Sequence, residues 1–378
     1  SHAQAGAPSA APRPRFDFRP SVPDVSTFPR TAWLRSLRRA LATMTDAELR
    51  YGNPAGAEVL RGALADYLGR VRGVVADPED IVVTSGYTQG LGLICHALAA
   101  AGAKRIALDD PSNPEDGLVA ARAGLERVMI GVDAAGTRID ELERTDADAV
   151  VVTPAHQHPT GVVLTGQRRT QLLAWLRVAQ AIAIEDDYDA EYRYDRAAIK
   201  ALQGLDPDRV IYAGSASKTL APALRIGWLV VPPWLRQAVI HEKLLADRGT
   251  ARIEQHAFAD FLSRGELDRH LRRMRARYRS RRDALVDALT EALPEATVLG
   301  VAAGLHVTVQ LPDGDDERAI RVHAHDRRIE LETTSDYRPA GDSHPPALLL
   351  GYARMPEPAL RAGVHELAKA VQATRARA

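Results

Sequence analysis

The chain has 378 residues, enough for a large core and roughly two domains. Its 49 Lys and Arg residues balance 49 Asp and Glu residues, so the net charge argues against a strongly basic nucleic-acid surface. The single cysteine, Cys95, excludes an intrachain disulfide and a cysteine-based metal site, and it fits a reducing, cytoplasmic setting. The sequence has neither a membrane-length apolar run nor the apolar segment of a signal peptide, so we expect no membrane contact.

The first part of the chain changes composition twice. Residues 1–14 are small and rich in Ala and Pro, which is typical of a linker and raises the question of a preceding domain. Residues 15–45 contain turns and then a helix from about 30 to 42, and we expect this segment to pack on the smaller domain. Gly and Pro predict a loop over residues 51–56, and apolar residues at helical spacing follow it.

The middle of the chain, residues 46–265, alternates short apolar runs with helical segments. The predicted strands are 81–86, 105–108, 149–153, 181–184, 210–213 and 226–231. This alternation predicts an α/β domain with a mostly parallel sheet covered by helices on both faces. Ligands bind outside the carboxyl ends of such strands, which brings four segments to one crevice: 84–88, 154–161, 185–188 and 215–218.

The pattern changes at about residue 266. One long arginine-rich helix is predicted there, followed by strand-like pieces and a final helix, which suits a smaller α+β domain over 266–378. The arginines of the long helix are compatible with a nucleic-acid surface or with a solvated or interface-lining face. The apolar stripe along the same helix favours the second interpretation, since arginine stems cover apolar surface well.

The segment from Gly214 to Pro233 contains one lysine, Lys218, between small and hydroxyl residues. A lysine amine forms a Schiff base with a carbonyl, and the hydroxyls of Ser215 and Ser217 with the cation of Arg225 can hold a phosphate. The combination indicates a phosphorylated aldehyde, pyridoxal 5'-phosphate (PLP). The alternative is a surface lysine on a Ser/Ala loop.

Three further motifs follow predicted strands. In TSGYTQGL, Gly86 gives a tight turn, and the amides of Tyr87 and Thr88 open a helix whose N-terminus can bind an anion, although an ordinary turn explains it as well. In AIAIEDDYDAEY, a carboxylate can pair with a pyridine nitrogen and a phenol can bond the ring oxygen, whereas solvated loops and Mg²⁺ sites are the alternatives. In TPAHQHPTG, the spacing of His156 and His158 resembles a metal site, but no other ligand has a fitting spacing, so we predict no metal.

Taken together and in this order, the motifs resemble fold-type I PLP enzymes, the aspartate aminotransferase superfamily. They are more similar to the aminotransferase-like domain of MocR-type regulators in the GntR family. The resemblance rests on FRPSVPD, YGNPAGAEVLRGALADYL, TSGYTQGL, TPAHQHPTG, EDDYDAEYRYD and SASKTLAPALRIGW, which span residues 18 to 228.

This resemblance implies a role for each matching residue. Lys218 would carry PLP covalently, Asp186 would pair with the pyridine nitrogen and Tyr188 would contact the ring oxygen O3'. The choice of Asp186 over Asp187 follows the family pattern, since strand alternation does not separate them. A homodimer is implied, because Tyr51 would reach the phosphate of the partner subunit. The residues expected around the phosphate are Gly86, Tyr87, Thr88, Ser215, Ser217 and Arg225.

Three departures from the family pattern concern the same site. His158 replaces the asparagine that usually donates to O3', and Asn113 stands where an aromatic residue or histidine usually stacks on the ring. Leu349 occupies the position of the arginine that binds the substrate carboxylate, which puts ordinary amino-acid transamination in doubt. Arg338 and Arg354 are the candidate substitutes for that arginine.

Two functions follow from the resemblance. The first is a PLP-sensing effector domain of a MocR-like transcriptional regulator, with DNA bound only through a winged-helix domain absent from this chain. The second is a standalone PLP enzyme acting on an amine or unusual amino acid, with Lys218 as the base that moves the substrate α-proton. A domain that has lost PLP altogether fits poorly, because the lysine, aspartate and arginine are all present.

Overall fold

Residues 14–194, 199–338 and 344–376 are described by the computed structural model. The predicted linker therefore lies outside the described residues, apart from Pro14. The helices are α1 Arg30–Thr43, α2 Glu58–Arg72, α3 Tyr87–Ala100, α4 Pro114–Arg122, α5 Ile139–Leu142, α6 Gly166–Val178, α7 Ala216–Thr219, α8 Pro233–Asp247, α9 Arg252–Ser263, α10 Glu266–Ala292, α11 Glu317–Asp326 and α12 Glu357–Arg375.

The strands form an eight-stranded sheet, a four-stranded sheet and a two-stranded sheet. They are β1 Phe16–Asp17, β2 Ile81–Thr84, β3 Arg105–Asp110, β4 Glu126–Asp133, β5 Gly136–Thr137, β6 Ala149–Val152, β7 Ile182–Asp186, β8 Val210–Ser215, β9 Gly227–Val230, β10 Thr297–Leu299, β11 His306–Gln310, β12 Ile329–Glu330, β13 Glu332–Thr333 and β14 Ala347–Gly351.

The eight-stranded sheet has the order β2-β9-β8-β7-β6-β3-β4-β5. Its five central strands, β8 to β4 in that order, are parallel, and β9 runs antiparallel between β2 and β8. The predicted mostly parallel sheet is confirmed. Successive side chains of a strand point to opposite faces of the sheet. In β2, Ile81 and Val83 pack in one buried cluster and Val82 packs in another. Both faces are therefore covered, and only the strand ends remain for binding.

The four-stranded sheet is antiparallel, in the order β10-β11-β14-β13. The predicted long helix is confirmed as α10, a single helix of 27 residues. The apolar stripe proposed for it, with Leu271 and Tyr278 among its members, is buried, whereas Arg272 and Arg273 are exposed. The architecture is the predicted α/β sheet with a smaller α+β part.

The N-terminal segment contacts both parts of the molecule. Strand β1 pairs with β12, beside the smaller sheet. Helix α1 instead packs on α9, where the Trp33 ring lies 5.8 Å from the Phe261 ring and Arg39 forms an ion pair with Asp260 at 2.8 Å. The domain boundaries drawn from the sequence remain a prediction.

Within the described residues, no helix is both long enough and apolar enough to cross a bilayer.

Candidate active site

A cavity of about 350 Å³ lies at the carboxyl ends of the central strands. Its volume is in the range of small-molecule sites. The cavity gathers ten of the twelve residues that the sequence predicted for the site, from segments far apart in the chain. These ten are Tyr87, Thr88, Asn113, His158, Asp186, Tyr188, Ser215, Ser217, Lys218 and Arg225.

One corner of the cavity combines a helix N-terminus with a guanidinium group. Gly86 precedes α3 with φ +103°, a backbone conformation that favours glycine. A Cβ on Gly86 would lie 3.1 Å from Arg225 Nη2, and a Cβ on Gly227 would lie 2.8 Å from the Gly86 Cα. Arg225 donates a hydrogen bond to the Ser85 carbonyl oxygen. The close approach of this turn to a cation at a helix N-terminus makes a cradle suited to an anion.

Two hydroxyls stand next to this corner. Ser215 caps the short helix α7, and its Oγ accepts a hydrogen bond from the Ser217 amide at 3.3 Å. Both serines line the cavity at the end of β8, within one turn of Lys218. Their hydroxyls can therefore serve the same anion as the guanidinium.

Lys218 lies partly buried in the cavity wall. Burial lowers the pKa of its amine from the ordinary value, and the negative charges of Asp186, Asp189 and Glu332 partly oppose that decrease. A larger fraction of the amine is neutral as a result, and the neutral form is the nucleophile toward a carbonyl.

Two adjacent aspartates point to different surroundings. The carboxylate of Asp187 accepts hydrogen bonds from Arg72 Nε at 2.6 Å and from the Tyr212 hydroxyl at 2.7 Å, in the buried core. Asp186 lines the cavity, and burial raises its pKa well above the ordinary value, with further increases from Asp116 and Asp187 and a decrease from Lys218. Of the two, Asp186 is the one available to a ligand.

Tyr188 lines the cavity with its hydroxyl 3.0 Å from His156 Nδ1. The same nitrogen is 3.0 Å from Asp189 Oδ2, and both His156 and Asp189 are buried. The sequence analysis weighed His156 only as a possible metal ligand, and nothing in the sequence indicated its contact with Tyr188. Among the described residues, no group of three His, Cys, Asp or Glu is placed to hold a metal ion.

His158 and Asn113, the two substituted positions, both line the cavity. Burial lowers the pKa of His158 to about 3, with Lys218 and His156 contributing, so its imidazole is neutral. Its Nδ1 is buried without a hydrogen-bond partner. Asn113 caps α4 and donates a hydrogen bond to Asp116 Oδ1 at 3.2 Å, so its side chain is engaged at the cavity rim.

Two carboxyl groups of the cavity were missed from the sequence. Burial raises the pKa values of Asp109 and Asp116 to about 7 each. The Tyr87 hydroxyl donates to Asp116 at 3.2 Å, and Gln157 Nε2 donates to Asp109 at 3.3 Å. The sequence analysis assigned these two acids no role, because only their burial in the fold makes their environment unusual.

Neither candidate for the carboxylate-binding arginine lines this cavity. Leu349 is fully buried in β14. Arg338 lies 3.4 Å from Asp110 and lines a neighbouring cavity, whereas Arg354 is paired with Asp17. Among the described residues that line the active-site cavity, the only Lys and Arg side chains are those of Lys218 and Arg225.

Tyr51 does not line the cavity of its own chain. Its side chain is 85% exposed, and the Arg248 guanidinium lies 5.6 Å from the centre of its ring. This exposure leaves the ring available to another molecule.

The comparisons with known proteins match most of the chain. The model of the family "Aminotransferase class I and II" matches residues 22–327. The chain is 33% identical to the uncharacterized HTH-type transcriptional regulator YhdI of Bacillus subtilis, over 94% of this chain and 75% of that protein. It is 34% identical to the probable rhizopine catabolism regulatory protein MocR of Rhizobium meliloti, over 69% of this chain and 53% of that protein.

A solved structure shares the fold. The kynurenine aminotransferase of Pyrococcus horikoshii, solved with PMP, kynurenine and the product, superposes with a TM-score of 0.86. The match has 26% sequence identity and covers 95% of this chain and 91% of the enzyme. The predicted fold-type I class is confirmed.

Proposed function

The chain belongs to the aminotransferase class I and II family, and on that premise we propose that it binds PLP as the effector-sensing domain of a MocR-like transcriptional regulator. The observation that carries the proposal is one cavity lined by Lys218, Asp186 and Arg225. A nucleophilic amine, a carboxylate and a phosphate-binding cation are the three groups that this cofactor requires.

The residues fit PLP in chemistry and in space. Arg225, Ser215 and Ser217 would hold the phosphate, at the cradle where a Cβ on Gly86 would fill the space beside the guanidinium. The unpartnered Nδ1 of His158 would stand in for the usual amide toward O3'. An orphaned buried nitrogen is costly unless a ligand satisfies it, which supports this assignment.

Each group of the chain has a task. Lys218 would bind the aldehyde carbon through its amine, and Asp186 would hold the proton at the pyridine nitrogen. Tyr188 would donate its hydroxyl proton toward O3', while the cradle at Gly86, Tyr87 and Thr88 fixes the orientation. Bound PLP supplies an electron-withdrawing ring that responds to amines.

The sensing role is favoured over turnover by the amine-facing side of the cavity. His158, which lines the cavity, is neutral, Leu349 is buried in β14, and Arg338 and Arg354 are engaged with Asp110 and Asp17. An amine entering the site would meet no described arginine for a carboxylate. Weak recognition of a substrate carboxylate suits a domain that responds to PLP binding rather than an enzyme that converts amino acids.

The proposal includes a cytoplasmic homodimer. Tyr51 would reach the phosphate of the partner subunit, for which its 85% exposure leaves it free. YhdI extends beyond the match, since the chain covers 75% of its length. A helix-turn-helix segment outside the present sequence would supply the DNA contacts.

A PLP-dependent enzyme is the second candidate, because Lys218, Asp186 and Tyr188 all line the cavity. The same lysine would move the α-proton of an amine or unusual amino acid. Similar folds include the kynurenine aminotransferase described above.

An absorbance titration tests both candidates. The purified chain is mixed with PLP, and the lysine-bound chromophore is then titrated with a panel of amines and amino acids. A chromophore that forms and that no amine converts to the pyridoxamine form supports the sensor, whereas conversion to the pyridoxamine form supports the enzyme and names its amine. Absence of the chromophore overturns the PLP proposal.

A further inference from the structure

A buried histidine and aspartate stand directly behind the phenol of Tyr188. The Tyr188 hydroxyl is 3.0 Å from His156 Nδ1, which is 3.0 Å from Asp189 Oδ2. The side chains of His156 and Asp189 are 2% and 1% exposed. The contact with Asp189 is thus sheltered from water, where a charge-assisted hydrogen bond is strong.

The chemistry of this contact fixes the proton positions. An ionised carboxylate accepts hydrogen bonds and cannot donate, so His156 Nδ1 carries the proton that it shares with Asp189. A protonated Nδ1 cannot accept from Tyr188, so its single hydrogen is shared in a bifurcated bond between Asp189 Oδ2 and the phenol oxygen, each 3.0 Å away. The hydroxyl proton of Tyr188 is left to donate elsewhere, and Tyr188 lines the cavity.

His156 and Asp189 pack directly against Gly304, which has no side chain. A Cβ on Gly304, whose φ is +72°, would clash with the His156 ring and lie 2.5 Å from Asp189 Oδ2. The Gly304 carbonyl oxygen is held in turn by the hydroxyls of Tyr352 at 2.6 Å and Tyr194 at 2.7 Å. The pair is therefore clamped between the cavity and the smaller sheet.

Burial keeps the phenol protonated. It raises the pKa of Tyr188 well above the ordinary value, and nearby carboxylates act in the same direction. The titratable groups around Tyr188 are His156, His158, Asp186, Asp189, Tyr337 and Tyr352. A protonated phenol at neutral pH is a donor to any acceptor in the cavity.

We propose that His156, held by Asp189, is a positioning residue that orients the Tyr188 hydroxyl as a donor into the cavity and strengthens it as a donor. The inference rests on the proposed function, in which the acceptor is O3' of PLP. A hydroxyl that accepts one hydrogen bond becomes a better donor of the next, because the chain of bonds polarises. His156 thereby favours the form of bound PLP that carries negative charge on O3'.

The pH dependence of the lysine-bound chromophore measures this effect. Replacing His156→Leu removes the donor, so the pH midpoint of the absorbance change should rise by roughly half a unit to one unit. His156→Asn restores a donor near the position of Nδ1 and should return the midpoint toward that of the unchanged protein. His256→Gln is the control at a buried histidine that does not line the cavity, and it should leave the midpoint unchanged.

A double substitution separates positioning from a general disturbance. In a Tyr188→Phe background, His156→Leu should shift the midpoint no further, because its effect passes through the phenol. An equal shift in both backgrounds overturns the inference. If His156→Leu does not fold, Asp189→Asn takes its place and should raise the midpoint by a smaller amount.

The result is distinguishable from failure of the proposed function. If the unchanged protein forms no lysine-bound chromophore, both the proposed function and this inference fail. If it forms one, and Tyr188→Phe raises the midpoint while neither His156→Leu nor Asp189→Asn does, only the inference is overturned.

Discussion

The two sides of the active-site cavity differ in charge. The side at the ends of β7, β8 and β9 carries Asp186, Lys218 and Arg225. The side that faces the smaller sheet carries neutral groups, among them His158 and Tyr337, whose ring centroids are 4.8 Å apart. The charged side suits one specific anionic cofactor, whereas the neutral side does not select for a carboxylate. A domain that binds its cofactor well and its amine loosely is what sensing requires.

The largest effect is expected from replacing Lys218, on the charged side of the cavity. Lys218→Ala removes the only amine lining the described cavity, so the lysine-bound PLP chromophore should be lost completely, while the midpoint of thermal unfolding of the free protein changes little. Lys104→Ala, at an exposed position, is the control and should keep the chromophore. A chromophore that persists in Lys218→Ala would contradict the assignment.

Next to Asp186 on the charged side, the carboxylate of Asp187 forms a buried ion pair with Arg72. Arg72→Met leaves the Asp187 carboxylate buried without its cation, which should reduce the free energy of unfolding by about 3–5 kcal/mol. Arg105→Met breaks exposed ion pairs with Glu126 and Asp146 and should change the free energy of unfolding little. Denaturant unfolding of the two variants compares them, and equal losses would mean that the buried pair gives no special support.

The pH dependence of stability probes Asp116, between the two sides. Burial raises its pKa to about 7, above the ordinary 3.8, so the folded state keeps a proton that the unfolded state loses as pH rises. Stability should therefore fall between about pH 4 and pH 7 and stay level above. Asp116→Asn removes this loss and should increase the free energy of unfolding by on the order of 4 kcal/mol at pH 8 and by almost nothing at pH 4.

The check is denaturant unfolding of the ligand-free protein at both pH values. The exposed Asp46→Asn is the matched control and should show no such difference. A gain for Asp116→Asn that is the same at pH 4 and pH 8 would contradict the effect of burial on this carboxyl group.

The smallest effect is expected on the neutral side. Because Arg338 and Arg354 are engaged elsewhere, an amino acid and the matching amine without its carboxylate should bind the PLP-loaded chain within about threefold of each other. Titration of the chromophore with L-alanine and ethylamine measures the ratio. A preference for the amino acid of a hundredfold would show that a cation reaches the site, and the contrast between the two sides would be lost.

Most of the fold and the charged side of the cavity were predictable. The apolar runs predicted six of the seven strands of four or more residues in the central sheet. The seventh, β4, was missed: it contains a short apolar run, but only Ile130 in it is fully buried. The four strand-end segments meet at one cavity as expected, since parallel strands bring their carboxyl ends to one edge. Asp109 and Asp116 were missed because burial, which sequence spacing does not report, makes them unusual.

The sequence by itself determined the family, the order of the motifs and the strand-end segments that meet at the cavity. The tertiary structure decided which side chains of those segments face the cavity. Only the pairing of Asp187 with Arg72, 115 residues away, leaves Asp186 to the cavity, and only the packing at Gly304 brings His156 and Asp189 behind Tyr188. Local patterns fix elements through periodicity, whereas contacts between distant segments depend on how those elements pack.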